Sequence, residues 1–514
     1  MIAFPLEVPA RSGDVLLAPR GLDQAGLLAL ARANRASLDA AQSPIAGVPL
    51  GQWRTRTRAD VLHLARPYTA ALGFGPVPEG DLLLATGHQP VFPHPGIWVK
   101  YLLLDRLARE GQTALAVSVD SDEMESPGAD VPTRASRRLE RRHEVLGRVS
   151  PEEPYEAHAA PSRAEWEDFL ARVDRHLQTI HEPAVRAPWE LFRQTTPPVV
   201  GGLGAFMTAL RRRYEGTRRF LDLPISLLAG TESFHAFFLH VAADAARFAA
   251  VHNRHLRDYR AAQRIRTEAQ PFPDLEATDD RVELPFWTVR EGRRRPLFLS
   301  RAGRTLTTPE GALGPLPDDP ASASLSSYAV RPRALTLTAF LRVFISDLFI
   351  HGVSGARYDR VTDAVMAEFL EIRPPAYLVA SATLHLPFQD AAVPSAERAS
   401  LARQIQEARH NPERLLRDPT AVQSALVEEK WRLIRRLEAP GAGRAERREA
   451  TRRIREINGQ LSTALAPALA ETEAALAALE EGKGPGHAAT YRGYPFFLFA
   501  PAALDDLVDF MLKG

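Results

Sequence analysis

The chain has no cysteine among its 514 residues. Disulfides, thiolate nucleophiles and Cys-based zinc or iron–sulfur sites are therefore excluded. It also has no apolar run of about 18 residues, the length a membrane-spanning helix requires. The start, MIAFPLEVPARSGDVLL, has no basic stretch leading into an apolar core, so no signal peptide and a cytoplasmic location are the expectation, with no membrane partner. An excess of one charge is missing too. Lys plus Arg number 64 against 63 Asp plus Glu, a formal net charge of +1, so no global field draws the chain to nucleic acid and none is expected as a partner. Neither a Walker A loop nor GxGxxG occurs, and nothing resembles HExxH or a nucleophile elbow. What is there, 45% hydrophobic and 25% charged residues, is the composition of a globular protein. The length exceeds one ordinary core and predicts two or three domains.

The spacing predicts an α/β protein. Residues 22–42 have helical periodicity and form, with the Pro/Gly-rich GFGPVPEG, an N-terminal arm and linker over 1–80. A core is expected over 81–390. In it, the apolar run 82–85, the corner Thr86-Gly87-His88-Gln89, a helix opening at Pro95, and a second apolar run from Thr113 make a βαβ unit, hence a parallel sheet. The same grammar of apolar run, polar corner and helix recurs at 224–249 and 341–372, and AYLVASATLHL reads as one more strand. A small antiparallel insert near 280–310 turns at Glu291-Gly292, and the stretch TTPEGALGPLPDDPASASLSSYAVRP reads as a surface loop. From 391 to 482 two long Ala/Leu/Glu/Arg-rich helices, 396–438 and 444–480, flank APGAG and predict an antiparallel coiled-coil hairpin; the aromatic tail 483–514 is expected to dock back on the protein.

Four corners could carry chemistry. Thr86 to Gln89, with His94 and Lys100, sits where parallel sheets bind phosphates against a helix N-terminus, although a merely polar turn has the same residue types. The cluster Asp120-Ser121-Asp122-Glu123 ends the neighbouring strand; its carboxylates could bind Mg²⁺, hold an amine or act as a base, or form an acidic surface loop. The stretch from His351 through Gly352, Ser354, Gly355 and Arg357 to Tyr358 could take an anion on backbone donors, or be a helix-entry turn. Thr231 and Glu232 form a fourth, weaker corner. No residues have the spacing of a metal site: His235 and His240 stand five apart, and His240, His252 and His255 read as core or surface histidines. The basic run REGRRRP reads as a solvated hairpin tip.

The order of these motifs resembles the bacillithiol biosynthesis cysteine-adding enzymes. Their T-G-Q-Q corner is matched by Thr86-Gly87-His88-Gln89, their D-H-D by Asp120-Ser121-Asp122, and their L-R-P-x-x-x-D by Leu341-Arg342-Val343 through Asp347. A Gly-rich corner ending in Tyr358, the segment Ser381-Ala382-Thr383-Leu384 and a helical hairpin follow in the same order. His88, Ser121 and Val343 depart from the family pattern, and the family's Gly-rich-corner glutamate has no clear counterpart.

The resemblance implies a Rossmann-like core akin to class I nucleotidyl-transfer enzymes and a homodimer formed through the coiled coil. It implies ligation of cysteine to the amine of a glucosaminyl-malate, with ATP activating the carboxylate. His88, Asp120 and Asp122 would then be catalytic. Thr86, Gly87, Gln89, His94 and Lys100 would bind phosphates, and Thr231, Glu232, Arg342 and the corner from His351 to Tyr358 would contact nucleotide or substrate. Two alternatives remain open on the residues themselves: a nucleotidyltransferase acting on another small molecule, and a non-catalytic nucleotide- or metabolite-binding protein.

Overall fold

The computed structural model describes residues 6–109, 111–123, 127–135, 138–147, 150, 153–195, 201–263, 265, 271–302, 304–388, 394–416, 419–438, 444–480 and 485–512. It is a mixed α/β structure built on a six-stranded sheet. The strands are β1 (Val15–Ala18), β2 (Leu83–His88), β3 (Thr113–Ser118), β4 (Leu221–Pro224), β5 (Leu348–His351) and β6 (Leu378–Ala382). Their order across the sheet is β1-β6-β5-β2-β3-β4. β2 to β6 are mutually parallel, and β1 runs antiparallel on the edge against β6. Counted along the parallel strands alone, the order is 3-2-1-4-5, the arrangement of open doubly wound sheets.

The apolar runs are strands because both of their faces are covered. Leu83, Ala85, Leu115 and Val117 enter one core. The alternate residues Leu82, Leu84, Ala114 and Ala116 enter a second core on the other face. The helix Pro95–Ala108 packs Trp98, Leu102 and Leu103 into the second core. The helix Val353–Glu368 packs Val353, Ala356 and Val365 into the first. Pro95 takes the first helical position, where its missing N–H leaves no bond unmade.

Several elements differ from the pattern-based expectation. Thr86, Gly87 and His88 continue β2 rather than forming a corner, because they pair with Ala116, Val117 and Ser118. The turn falls at Gln89 to Pro93 instead. The run PISLL is helix Ile225–Leu228 past its proline, and β4 lies just before it. Residues 341–345 are helical with a wide π-type turn, and the strand starts only at Leu348. Apolar runs buried on all sides cannot be told apart by period, which explains both errors. The expected surface loop contains strands Gly311–Pro315 and Val330–Pro332 and helix Ala323–Ser327. These belong to a five-stranded antiparallel sheet whose hairpin turns at Glu291 (φ 50°) and Gly292 (φ 74°), the left-handed pair of a two-residue turn.

The N-terminal region, expected as an arm, lends β1 to the main sheet. The predicted hairpin region holds four helices, Pro394–His410, Ala421–Glu438, Arg444–Thr463 and Ala466–Glu480. The first packs on the fourth and the second on the third. APGAG at 439–443 lies outside the described residues. The tail docks on the globular part. Phe497 stacks on Phe192 with ring centroids 4.5 Å apart, and the Phe496 N–H donates to the Pro93 carbonyl at 2.8 Å. Among the described residues no single helix is long and apolar enough to cross a membrane.

Candidate functional site

Strand order reverses between β2 and β5. The helices that follow these two strands leave on opposite faces of the sheet, so a crevice opens between the strand ends. A cleft of about 450 Å³ occupies that crevice. The end of β2 gives it Gly87, His88 and Gln89, the Pro95 helix gives Gly96 and Lys100, and Asp122 follows β3. The β5 side gives His351, Gly352, Ser354, Gly355 and Tyr358, while His94 stands at the foot of the Pro95 helix. Eleven of the expected site residues therefore converge from three separate corners.

Six others do not. Thr86 is fully buried and its hydroxyl donates to the Ile350 carbonyl at 2.8 Å, locking β2 to β5. Asp120 turns away and accepts from the Ser226 N–H at 2.9 Å and from the Ser226 hydroxyl. Burial pushes its carboxyl up to about 6. Thr231 caps its own helix by accepting from the Phe234 N–H at 3.3 Å. Glu232 is exposed, 3.9 Å from Arg56. Arg357 reaches back to the Leu6 carbonyl at 2.7 Å. Arg342 is 1% exposed and is bonded to Asp359, Asp363 and the Pro375 carbonyl. The arginine of the family-like motif is thus part of the scaffold, while Leu341 beside it lines the cleft.

The cleft is cationic and short of partners. Lys100, 2% exposed, donates from Nζ to the Gly87 carbonyl at 2.9 Å and, among the described residues, to no carboxylate. Burial, followed by repulsion from Arg211, pulls its pKa down to about 7. Burial and then Lys100 hold His88 neutral, at about 3. Its Nδ1 lies 3.1 Å from the Gln89 carbonyl, which only accepts, so Nδ1 carries the hydrogen and Nε2 keeps a lone pair. Burial, then Arg492 and Lys100, bring His94 down to about 4; its Nδ1 accepts from the Gly96 N–H at 3.1 Å. On the other side, the Val353 helix begins at Gly352 with no side-chain cap, and the N–H groups of Val353, Ser354 and Gly355 have no described partner. Uncapped N–H groups and the positive end of a helix attract anions.

Asp122 is the cleft's carboxylate. It accepts from Gln89 Nε2 at 2.8 Å and from Arg294 Nη1 at 2.8 Å. His351 Nε2 stands 2.9 Å from Asp359 Oδ2. Burial drives the Asp359 carboxyl up, but Arg342 and His351 overcome it and hold it well below the usual range. Burial, then Asp359 and Asp122, push the Tyr358 phenol up. Among the described residues no group of three or more His, Asp or Glu is arranged to hold a metal ion.

The cleft residues that were not anticipated include Trp287, Arg294, Arg333 and Arg492. Arg294 and Arg333 lie over the Trp287 ring, 4.7 and 3.9 Å from its centroid. Arg294 belongs to the run expected as a solvated tip, yet its side chain is only 12% exposed because it pairs with Asp122. Alternation along Arg293–Ser300 is broken by a bulge between Pro296 and Phe298, so period alone does not separate Arg294 from its exposed neighbour Arg293. No family profile matches the chain, and no curated protein does either.

Proposed function

We propose that the protein is an ATP-dependent carbon–nitrogen ligase with a Rossmann-like, class I nucleotidyltransferase-type core, which joins cysteine to the amine of an amino-sugar malate conjugate. The observation that carries the proposal is the cleft at the strand reversal, which is lined both by an uncapped helix N-terminus and by a buried lysine that no carboxylate among the described residues neutralises. That combination suits the phosphates of a nucleotide.

ATP would supply activation of the acid as an adenylate. The N–H groups from Val353 to Gly355 would hold phosphate oxygens, and Lys100 would meet the charge that develops on the leaving pyrophosphate. Any Mg²⁺ would accompany the phosphates. Asp122, fixed by Gln89 and Arg294, would hold the incoming amine and take its proton as the amine nitrogen attacks the adenylate carbonyl and AMP leaves. His88, neutral at physiological pH, offers a lone pair to an amine N–H.

Purified protein incubated with cysteine, glucosaminyl-malate and ATP should form the cysteinyl adduct, detected by mass. No adduct under conditions where an authentic cysteine-adding enzyme works would sink the proposal. Asp122→Asn should lower turnover by about 10²-fold or more, the range for a positioned acid–base group. Turnover within about twofold of the parent would remove Asp122 from that role. We further propose that the helices of 394–480 form a coiled-coil dimer interface. Excising 396–480 should give a monomer by light scattering, and an unchanged dimer rejects the interface.

A further inference from the structure

We propose that Arg492, carried into the cleft by the C-terminal segment, recognises a carboxylate of the substrate that binds beside the nucleotide. This deepens the ligase proposal and rests on it for the identity of that substrate.

The buried arginines Arg54, Arg211 and Arg342 each have an acidic partner. Arg54 has Asp347, Arg211 has Asp222 and Arg342 has Asp359. Arg492 has none among the described residues. Its Nη2 makes two long contacts to neutral acceptors, Ser381 Oγ at 3.3 Å and the Ala382 carbonyl at 3.4 Å. Its Nε is shut off from solvent with no hydrogen-bond partner. The titratable groups it faces are His94 and His385, and burial first and then the Arg492 charge bring both below the ordinary imidazole range. A half-buried guanidinium surrounded by imidazoles and carbonyls, and lining a cleft, is a cation waiting for an anion.

The chain holds it there from both sides. The Tyr491 hydroxyl donates to Asp130, the Tyr494 hydroxyl donates to the Ala488 carbonyl at 2.8 Å, and the Phe496 N–H is tied to the Pro93 carbonyl. Room for the guanidinium comes from Gly96, where a Cβ would stand 2.5 Å from Arg492 Nη2.

The anion is assigned as a carboxylate by division of labour in the cleft. The free helix N–H groups that suit phosphate lie at Val353 to Gly355. At the Pro95 helix the N–H groups are already taken: Gly96 donates to His94 Nδ1, Ile97 and Trp98 donate to the His94 carbonyl, and Pro95 has none. Recognition on that side falls to side chains. A guanidinium fork matches the two oxygens of a carboxylate with parallel hydrogen bonds.

Calorimetry on the full chain with malate, inorganic phosphate and ATP as separate probes tests the assignment. Malate should bind the parent. Arg492→Gln should weaken it roughly tenfold or more, with ATP affinity within about twofold. Arg492→Lys should restore only part, since an ammonium lacks the fork. Gly96→Ala, which keeps the charge but displaces it, should also weaken malate. The proposal is overturned if malate fails to bind the parent at millimolar concentration, or binds Arg492→Gln as well as the parent. A loss confined to phosphate and ATP overturns it too. Failure of the ligase proposal would show as missing turnover and would leave these binding results intact.

Discussion

Asp347→Ala should cost the protein about 3–5 kcal/mol of stability, measured by urea unfolding at neutral pH. Asp347 is 1% exposed and sits just before β5. Its Oδ1 accepts from Arg54 at 2.6 Å; its Oδ2 accepts from Arg58 at 2.9 Å and from the Leu83 N–H at 2.8 Å. Its own N–H donates to the Leu83 carbonyl at 2.7 Å, and its carbonyl accepts from Asn34 at 2.8 Å. One residue thus joins the helices Gln24–Asp39 and Leu50–Ala71 to the first residue of β2 and the entry to β5, the two strands that border the cleft. Alanine leaves the Arg54 guanidinium, itself 1% exposed, short of its main counter-charge. An uncompensated buried charge is what makes such losses large, far more than the lost attraction itself. The double change Arg54→Met with Asp347→Leu should therefore recover at least half of the deficit. A single-variant loss under about 1 kcal/mol, in the range of a surface change, would show that the pair does not anchor the fold.

That anchor also shows where sequence reasoning ends. The βαβ unit at 82–118 was legible because apolar runs of strand length flank a strongly periodic helix opening at proline. Three corners meeting at one sheet edge followed from parallel topology, and eleven of the residues expected there line the cleft. The family-like motif pointed to Arg342 as a ligand contact, yet its guanidinium is spent on Asp359, just as the carboxylate of Asp347 in the same motif is spent on Arg54. Charge type in a sequence does not say whether the counter-charge is internal, and neither Asp359 nor Arg54 is adjacent in the chain. Asp120 and Asp122 make the same point two residues apart. Strand-like alternation does not survive past β3, so one carboxylate turns to Ser226 and the other to the cleft. Arg492 was beyond reach for a different reason. It arrives from a distant part of the chain, brought there by packing of the Phe496–Phe497 pair against Phe92 and Phe192 together with the hydrogen bonds of Tyr491 and Phe496.

Lys100→Met should stabilise the protein and abolish its pH-dependent anion binding together. The folded pKa of Lys100 is about 7 against an ordinary 10.5, because burial disfavours the ammonium. Between those values the unfolded chain binds a proton that the folded chain does not, so this group's contribution to stability rises with pH. Its cost is therefore greatest at and below pH 7 and fades toward pH 10.5. The stability gained by the variant over the parent should shrink across that window, by up to about 1.4 kcal/mol per pH unit. Ligand binding has the opposite dependence. The charge that destabilises the fold is the charge that attracts phosphate, so the parent's affinity for ATP should fall as pH rises through about 7, while the variant binds weakly at every pH. A stability difference that stays flat from pH 6 to pH 10 would mean that Lys100 remains charged throughout, with a partner outside the described residues, and the phosphate role would fail with it. A residue whose removal strengthens the fold while removing binding is retained for what it binds.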